Sequence, residues 1–212
     1  QMSLMGSSAG SWNLSNLESV LTYALEAPIK GVNTPYCYVG SWKTLFCWHT
    51  EDLELSAINY LHDGKSKFWY SIPQNQHHIL EKEANKLFGD QFAKCSEYLR
   101  HKTTVINPYI LKQKYPELKI SKMEHRAGEF ILVFGGAYHC GFNFGFNLAE
   151  AVNYATLGWL KQLIGCKSCK CANDSVKVLN NAVYDNLSKC THRYNPAILR
   201  NAKEVQDLRK DL

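Results

Sequence analysis

Two blocks of the chain, Thr34–Pro73 and Thr103–Leu160, are built from short runs rich in Tyr, Trp, Phe, Thr and Ile, broken every few residues by Gly, Asp or Pro. Aromatic and β-branched residues suit a pleated, half-buried strand, and the breakers supply the turns. Between the blocks, residues 74–102 change to a helical period, with Ile79, Leu80, Ala84, Leu87 and Phe88 on one face, a break at Gly89-Asp90 and a resumption towards Tyr98 and Leu99. Strand blocks on either side of a helical insert predict a mainly β fold, a curled antiparallel sandwich of the jelly-roll type. Asp63-Gly64, between two strand runs, signals a hairpin.

The flanks read as helical. Ser15 and Glu18 form a capping box ahead of Leu17, Val20, Leu21 and Leu25, which predicts a helix over 15–26 that stops before Pro28. After Cys171, Val176, Leu179, Val183, Tyr184 and Leu187 make one apolar stripe, and Pro196 opens a polar last helix. Residues 1–14 carry a small, polar Gly6–Ser11 run and read as a flexible or incomplete segment, 15–165 as the core domain with its insert at 74–102, and 166–212 as a C-terminal helical segment. The chain opens on Gln1 with no basic-then-apolar leader, as a fragment would. No run approaches the roughly 18–20 apolar residues of a membrane span, so no membrane association is expected. A net charge of +5 is too mild to choose between nucleic acid and other acidic partners. The eight cysteines are too sparse for a disulfide scaffold, and the crowding of Cys166, Cys169 and Cys171 reads as thiolate metal ligation in a reducing compartment.

The strongest local chemistry is Trp48-His49-Thr50-Glu51-Asp52. Residues two apart on a strand share a face, so His49 and Glu51 project together. His139, after the apolar run Phe130–Phe134 and the Gly135-Gly136 turn, can supply a third ligand. Two imidazoles and a carboxylate on one side of an octahedral iron(II) leave three positions open for oxygen and a chelating co-substrate. A lone His-x-Glu is otherwise an ordinary hydrogen-bonded strand pair.

Gly31-Val32-Asn33-Thr34-Pro35-Tyr36, Trp48–Asp52, Ile58–His62, Leu99-Arg100-His101-Lys102, Ala127-Gly128-Glu129-Phe130, Gly141-Phe142-Asn143 and Phe146-Asn147 occur in an order that resembles the Jumonji C (JmjC) histone lysine demethylases, above all the subfamily with both Jumonji N and Jumonji C domains that acts on trimethyl-lysine. The resemblance runs over roughly residues 12–172. It implies a cupin-like double-stranded β-helix that uses iron(II), 2-oxoglutarate and O2, with His49, Glu51 and His139 as iron ligands. It assigns Asn59, Lys67, Phe46 and Trp69 to 2-oxoglutarate, and Gly31, Tyr36, Tyr38, Glu51, Ala151, Asn153 and Lys102 to the methyl-lysine pocket. It gives Cys95, His101, Cys169 and Cys171 to a structural zinc(II), with Cys166 as an unmatched competitor. The family's 2-oxoglutarate tyrosine would fall before Gln1. A three-residue Asp63-Gly64-Lys65 hairpin loop, with Leu61 facing Lys67 and Asn59 facing Trp69, would put the co-substrate residues on one side.

The activity implied is removal of methyl groups from tri- or dimethyl-lysine of histone H3, at lysine 9 or lysine 36, by N-methyl hydroxylation and loss of formaldehyde. The expected setting is a nuclear monomer that meets the H3 tail, and chromatin through other regions of its parent protein. A JmjC hydroxylase that leaves a stable alcohol, and a chromatin-binding scaffold without turnover, are the competing readings.

Overall fold

The computed structural model describes residues 3–167, 169, 171, 176 and 180–189. Eight strands among them form two four-stranded antiparallel sheets: β1 (Tyr36–Gly40), β8 (Asn147–Tyr154), β3 (Ser56–Gly64) and β6 (Phe130–Val133) in one, and β2 (Leu45–His49), β7 (Tyr138–Asn143), β4 (Lys67–Ile72) and β5 (Ser121–His125) in the other. Every connection except β4 to β5 carries the chain from one sheet to the other. That alternation is the jelly-roll expected from the two strand blocks.

The helical insert hangs between β4 and β5, which pair with each other from Lys67↔His125 to Ser71↔Ser121. It contains α2 (His77–Leu87), α3 (Gly89–Lys94), a one-turn 3₁₀ helix (Tyr98–His101) and α4 (Pro108–Lys114). The break falls at Phe88, just before the expected Gly89-Asp90, which open α3. Leu80, Ala84, Tyr98, Leu99, Leu111 and Leu118 pack with Trp48, Ile72 and Cys140 of the second sheet. Trp48 is fully buried there, and its indole N–H donates to the Ile106 carbonyl at 2.8 Å. A second cluster joins α1 (Leu21–Ala24), the turn after β2 through Leu53 and Leu55, α5 (Trp159–Ile164), and Val183 and Leu187 of α6 (Asn180–Lys189). The helix expected from Pro196 lies outside the described residues.

Three local expectations are corrected. The 15–26 helix shrinks to α1, because Ser19 and Val20 are engaged by the chain after β8: the Ala155 N–H donates to Ser19 Oγ at 2.9 Å and the Val20 N–H to the Ala155 carbonyl at 3.0 Å. Ser15 makes no capping box; Asn13 accepts from the Ser15 N–H instead. α4 falls inside a block read as strands; its signal is Asn107, which caps the Tyr109 N–H, followed by Pro108 at the first helical position.

The third correction concerns Asp63-Gly64, which makes no hairpin, with three loop residues or any other number, since β3 and β4 lie in different sheets. β3 runs on through Gly64, pairing Asp63↔Leu148 and Gly64↔Asn147 after a bulge. Gly64 is required by close approach, because at φ +95° a Cβ would stand 2.3 Å from the Phe146 carbonyl oxygen. Asn59 and Lys67 therefore meet across the interior from opposite sheets.

Gly141 of β7 has Phe46 on one side and Trp69 on the other in register. A Cβ there would lie 2.0 Å from the Phe68 carbonyl oxygen and 2.3 Å from the Phe46 ring. Gly141→Ala is expected to cost about 1–3 kcal/mol through overpacking, read as a lower denaturant midpoint at unchanged slope.

Candidate active site and thiolate cluster

The pairing of β2 with β7 sets His49 opposite His139, with ring centroids 4.2 Å apart. Glu51 follows two residues on, in extended backbone at the head of a 3₁₀ turn (Asp52–Glu54), and its Oε1 lies 3.3 Å from His139 Nε2. The metal-binding atoms of His49, Glu51 and His139 all lie within 4.8 Å of one another. His49 Nδ1 is 2.6 Å from the Cys47 carbonyl, and His139 Nδ1 is 3.1 Å from the Ala137 carbonyl. A carbonyl only accepts, so both rings donate through Nδ1 and leave Nε2, the nitrogen a metal ligand would use, facing Glu51. Burial holds His49 well below its usual range, with the His139 and Lys102 charges adding to it and Glu51 and the Cys47 carbonyl opposing. Burial would raise the Glu51 carboxyl, but the hydrogen bond and charge of His139, with His49 and Lys102, outweigh it and keep the group ionised.

These three residues stand in the wall of a cavity of about 400 Å³ between the sheets, whose lining includes Gly31, Tyr38, Phe46, Asn59, Lys67, Trp69, Lys102, Ala151 and Asn153. Every site residue expected for 2-oxoglutarate thus reaches one chamber, and so do those expected for methyl-lysine except Tyr36. That ring stands one layer out, where a Cβ on Gly31 would meet it at 3.1 Å. Tyr36, Ala151 and Asn59 nevertheless form one row across β1, β8 and β3. Lys102 enters from the insert, in left-handed backbone just past the 3₁₀ turn.

Lys67 is 6% exposed, and its ammonium donates to a neutral amide oxygen, Asn143 Oδ1, at 2.8 Å. Asn143 also accepts from Asn147 at 2.9 Å and donates to Thr44 Oγ1 at 2.8 Å. This amide network is what sequence reasoning missed. Its signal was two asparagines four apart, and Gly40, where a Cβ would sit 2.3 Å from Asn147 Oδ1, makes room for it. Asn59 Oδ1 and Trp69 Nε1 are buried without hydrogen-bond partners among the described residues. A buried cation and an orphan indole N–H facing one chamber suit a small polar acid.

Cys95, His101, Cys169 and Cys171 gather on the far side of the insert, their ligand atoms also within 4.8 Å of one another. Cys95 Sγ and Cys169 Sγ are 3.6 Å apart, too far for a disulfide and suited to two thiolates on one tetrahedral ion. His101 Nε2 is 3.1 Å from Cys169 Sγ. Burial would raise Cys169, but hydrogen bonds from His101 and the Cys171 N–H dominate and bring it down to about 7. Cys166 stays outside the group, its thiol against the Lys167 carbonyl.

The profile of the JmjC domain, a hydroxylase, matches residues 36–154, the whole of both sheets. The chain belongs to the JmjC family. Among its relatives, it is 45% identical over 179 residues to lysine-specific demethylase 4B of Mus musculus, which covers 83% of this chain and 16% of that protein. It is 42% identical over 177 residues to probable lysine-specific demethylase 4F of Homo sapiens, covering 82% of this chain and 27% of the relative. Over 177 residues it is 41% identical to lysine-specific demethylase 4D of Rattus norvegicus, covering 82% and 34%. This JmjC chain therefore spans about a third or less of the length of each of these relatives.

Burial pushes Lys67 down to about 8. Because an unfolded lysine keeps its proton to about 10.4, this group makes the fold more stable as pH rises from about 8 to 10.4, where the unfolded chain binds more protons. A lysine Cε NMR titration is expected to show one midpoint near 8 that disappears in Lys67→Met.

Proposed function

We propose that this JmjC domain demethylates tri- and dimethyl-lysine of histone H3, at lysine 9 or lysine 36, with iron(II), 2-oxoglutarate and O2, in the nucleus. The observation that carries the reading is the pair of imidazoles pinned by Nδ1 to backbone carbonyls, with their Nε2 atoms converging on the ionised Glu51 in a chamber that also holds a buried lysine. The names of the relatives, lysine-specific demethylases, support the choice of substrate class.

Iron(II) with 2-oxoglutarate and O2 supplies the oxidation of an N-methyl C–H bond to an alcohol, which falls apart to formaldehyde and the shortened lysine. This route needs no nitrogen lone pair, so trimethyl-lysine is an allowed substrate. His49, Glu51 and His139 hold the ion; two neutral rings and one carboxylate leave it one net positive charge. Lys67 supplies the second positive charge, and together the two balance the dicarboxylate 2-oxoglutarate, which is why a buried lysine is tolerable there. Trp69 offers the acid its unpaired indole N–H and Asn59 its amide NH2, and Phe46, edge-on to Trp69 at 4.6 Å, keeps water off its methylenes. Tyr38 and the Gly31 backbone give the methylammonium an aromatic face and carbonyl oxygen rather than a strong donor, with Tyr36 packed behind Gly31. Ala151 leaves room for the methyl groups, with Asn153 and Lys102 along the adjoining wall. The His101–thiolate cluster holds zinc(II) as a staple between the insert and the segment after β8, since four N/S ligands leave no position for substrate.

The deciding experiment is mass spectrometry of trimethylated H3 peptides carrying lysine 9 or lysine 36, incubated with the protein, iron(II), ascorbate and 2-oxoglutarate. Stepwise loss of methylene masses with formaldehyde release, abolished in His49→Ala, is the expected result. Gain of one oxygen without formaldehyde would make the domain a hydroxylase, as the family's description allows. No 2-oxoglutarate consumption by metal-loaded protein would leave a scaffold. Removal of zinc with a strong chelator, or Cys169→Ser, is expected to lower the melting temperature by about 2–4 °C for each kcal/mol lost, measured by calorimetry.

A further inference from the structure

The turn that carries Glu51 away from β2 is strained. Leu53 (φ 55°) and Glu54 (φ 54°) are consecutive non-glycine residues in left-handed backbone. L-residues with a Cβ hold that conformation only where their surroundings over-determine it, and such strain gathers at functional sites. Trp159 and Arg100 hold the turn, and Thr50 Oγ1 reaches the Glu54 carboxylate at 3.4 Å. Trp159 Nε1 donates to the Leu53 carbonyl at 2.7 Å. Arg100 grips the turn at both ends: its Nη1 donates to the Glu51 carbonyl at 2.9 Å, its Nη2 pairs with the Glu54 carboxylate, and its Nε lies 3.6 Å from Glu97 on its own segment.

We propose that Arg100 is a positioning residue for the active-site carboxylate: its guanidinium fork spans the strained turn and fixes the direction in which Glu51 leaves β2. The proposal rests on the reading of His49, Glu51 and His139 as metal ligands. Three features suit Arg100 to the task. Its side chain is only 10% exposed, so water competes little for the bonds. A planar fork reaches two acceptors in fixed geometry, which a lysine cannot do. Its backbone is anchored next door, since Arg100 precedes His101 of the thiolate cluster and Lys102 of the chamber wall on the same 3₁₀ turn and its cap. The cluster thus stiffens the base from which Arg100 reaches the turn, and the metal-ligand geometry on β2 is set partly from the insert.

The test uses zinc-loaded protein and cobalt(II) as the probe of the second site, read by its d–d absorption and dissociation constant. Wild type, His49→Ala, Arg100→Met, Arg100→Lys and Glu54→Gln are compared, with zinc content and thermal melting recorded for each. Arg100→Met is expected to weaken cobalt(II) by about 10–100-fold, the usual effect of removing a group that orients a ligand, and to shift the d–d bands while zinc stays stoichiometric. Arg100→Lys, which keeps one donor, recovers part of the affinity, and Glu54→Gln, which spares the bond to the Glu51 carbonyl, loses less. Unchanged affinity and spectrum in folded Arg100→Met overturns the proposal. Should that variant not fold, unchanged values in both Arg100→Lys and Glu54→Gln overturn it equally. Wild-type protein lacking a His49-dependent cobalt signal overturns the ligand reading itself, and this proposal with it.

Discussion

The antiparallel pairing of β2 with β7 is the constraint on which the rest of the site depends. It is the one ladder that brings residues ninety positions apart in the chain, His49 and His139, into direct opposition, and cross-strand partners share a face. The same ladder carries a bulge between Phe46 and His49. An extra residue on one strand turns its end relative to the partner, so that His49 meets His139 while Phe46 still meets Gly141. Phe46 and His49 then both reach the chamber, which an unbroken strand with its two-residue alternation would forbid.

Charge in the chamber is arranged in two separated parts. Around Glu51, the hydrogen bond and charge of His139, with His49 and the Lys102 cation, keep a carboxylate ionised despite its burial. Farther in, Lys67 donates to the Asn143 amide, which also bonds Asn147 and Thr44. One end of the cavity is thus prepared for a cation and the other for an anion. A small molecule with a chelating end and a distal carboxylate matches both, whereas an apolar ligand would leave the Trp69 indole N–H unpaired.

Much of this was legible in the sequence, and the exceptions share a cause. The His-x-Glu spacing could be read because strand alternation is local, and the insert because its 3.6 period is local too. The convergence of His139, Asn59 and Lys67 came from resemblance, since nothing in their spacing says which sheet each strand joins. Asp63-Gly64 misled for that reason: a turn signal reports that the chain can bend tightly, while the glycine is there to clear Phe146. The Ser15–Glu18 box failed likewise, because Ser19 and Val20 found better hydrogen bonds at Ala155 than a longer helix would have offered. At 107–108 the Asn-Pro signal was present and outvoted by the strand-like texture around it.

The insert leaves the second sheet at Ile72 and returns at Ser121, and those two points are the ends of strands paired with each other. Topologically it is a single oversized hairpin loop. The cost of closing a loop rises only with the logarithm of its length, so residues can be added to the outer part of the insert with little penalty and no change of register anywhere in the barrel. The insert is thus free to lengthen at its outer part, while through Arg100, His101 and Lys102 its inner part touches the turn, the thiolates and the chamber at once.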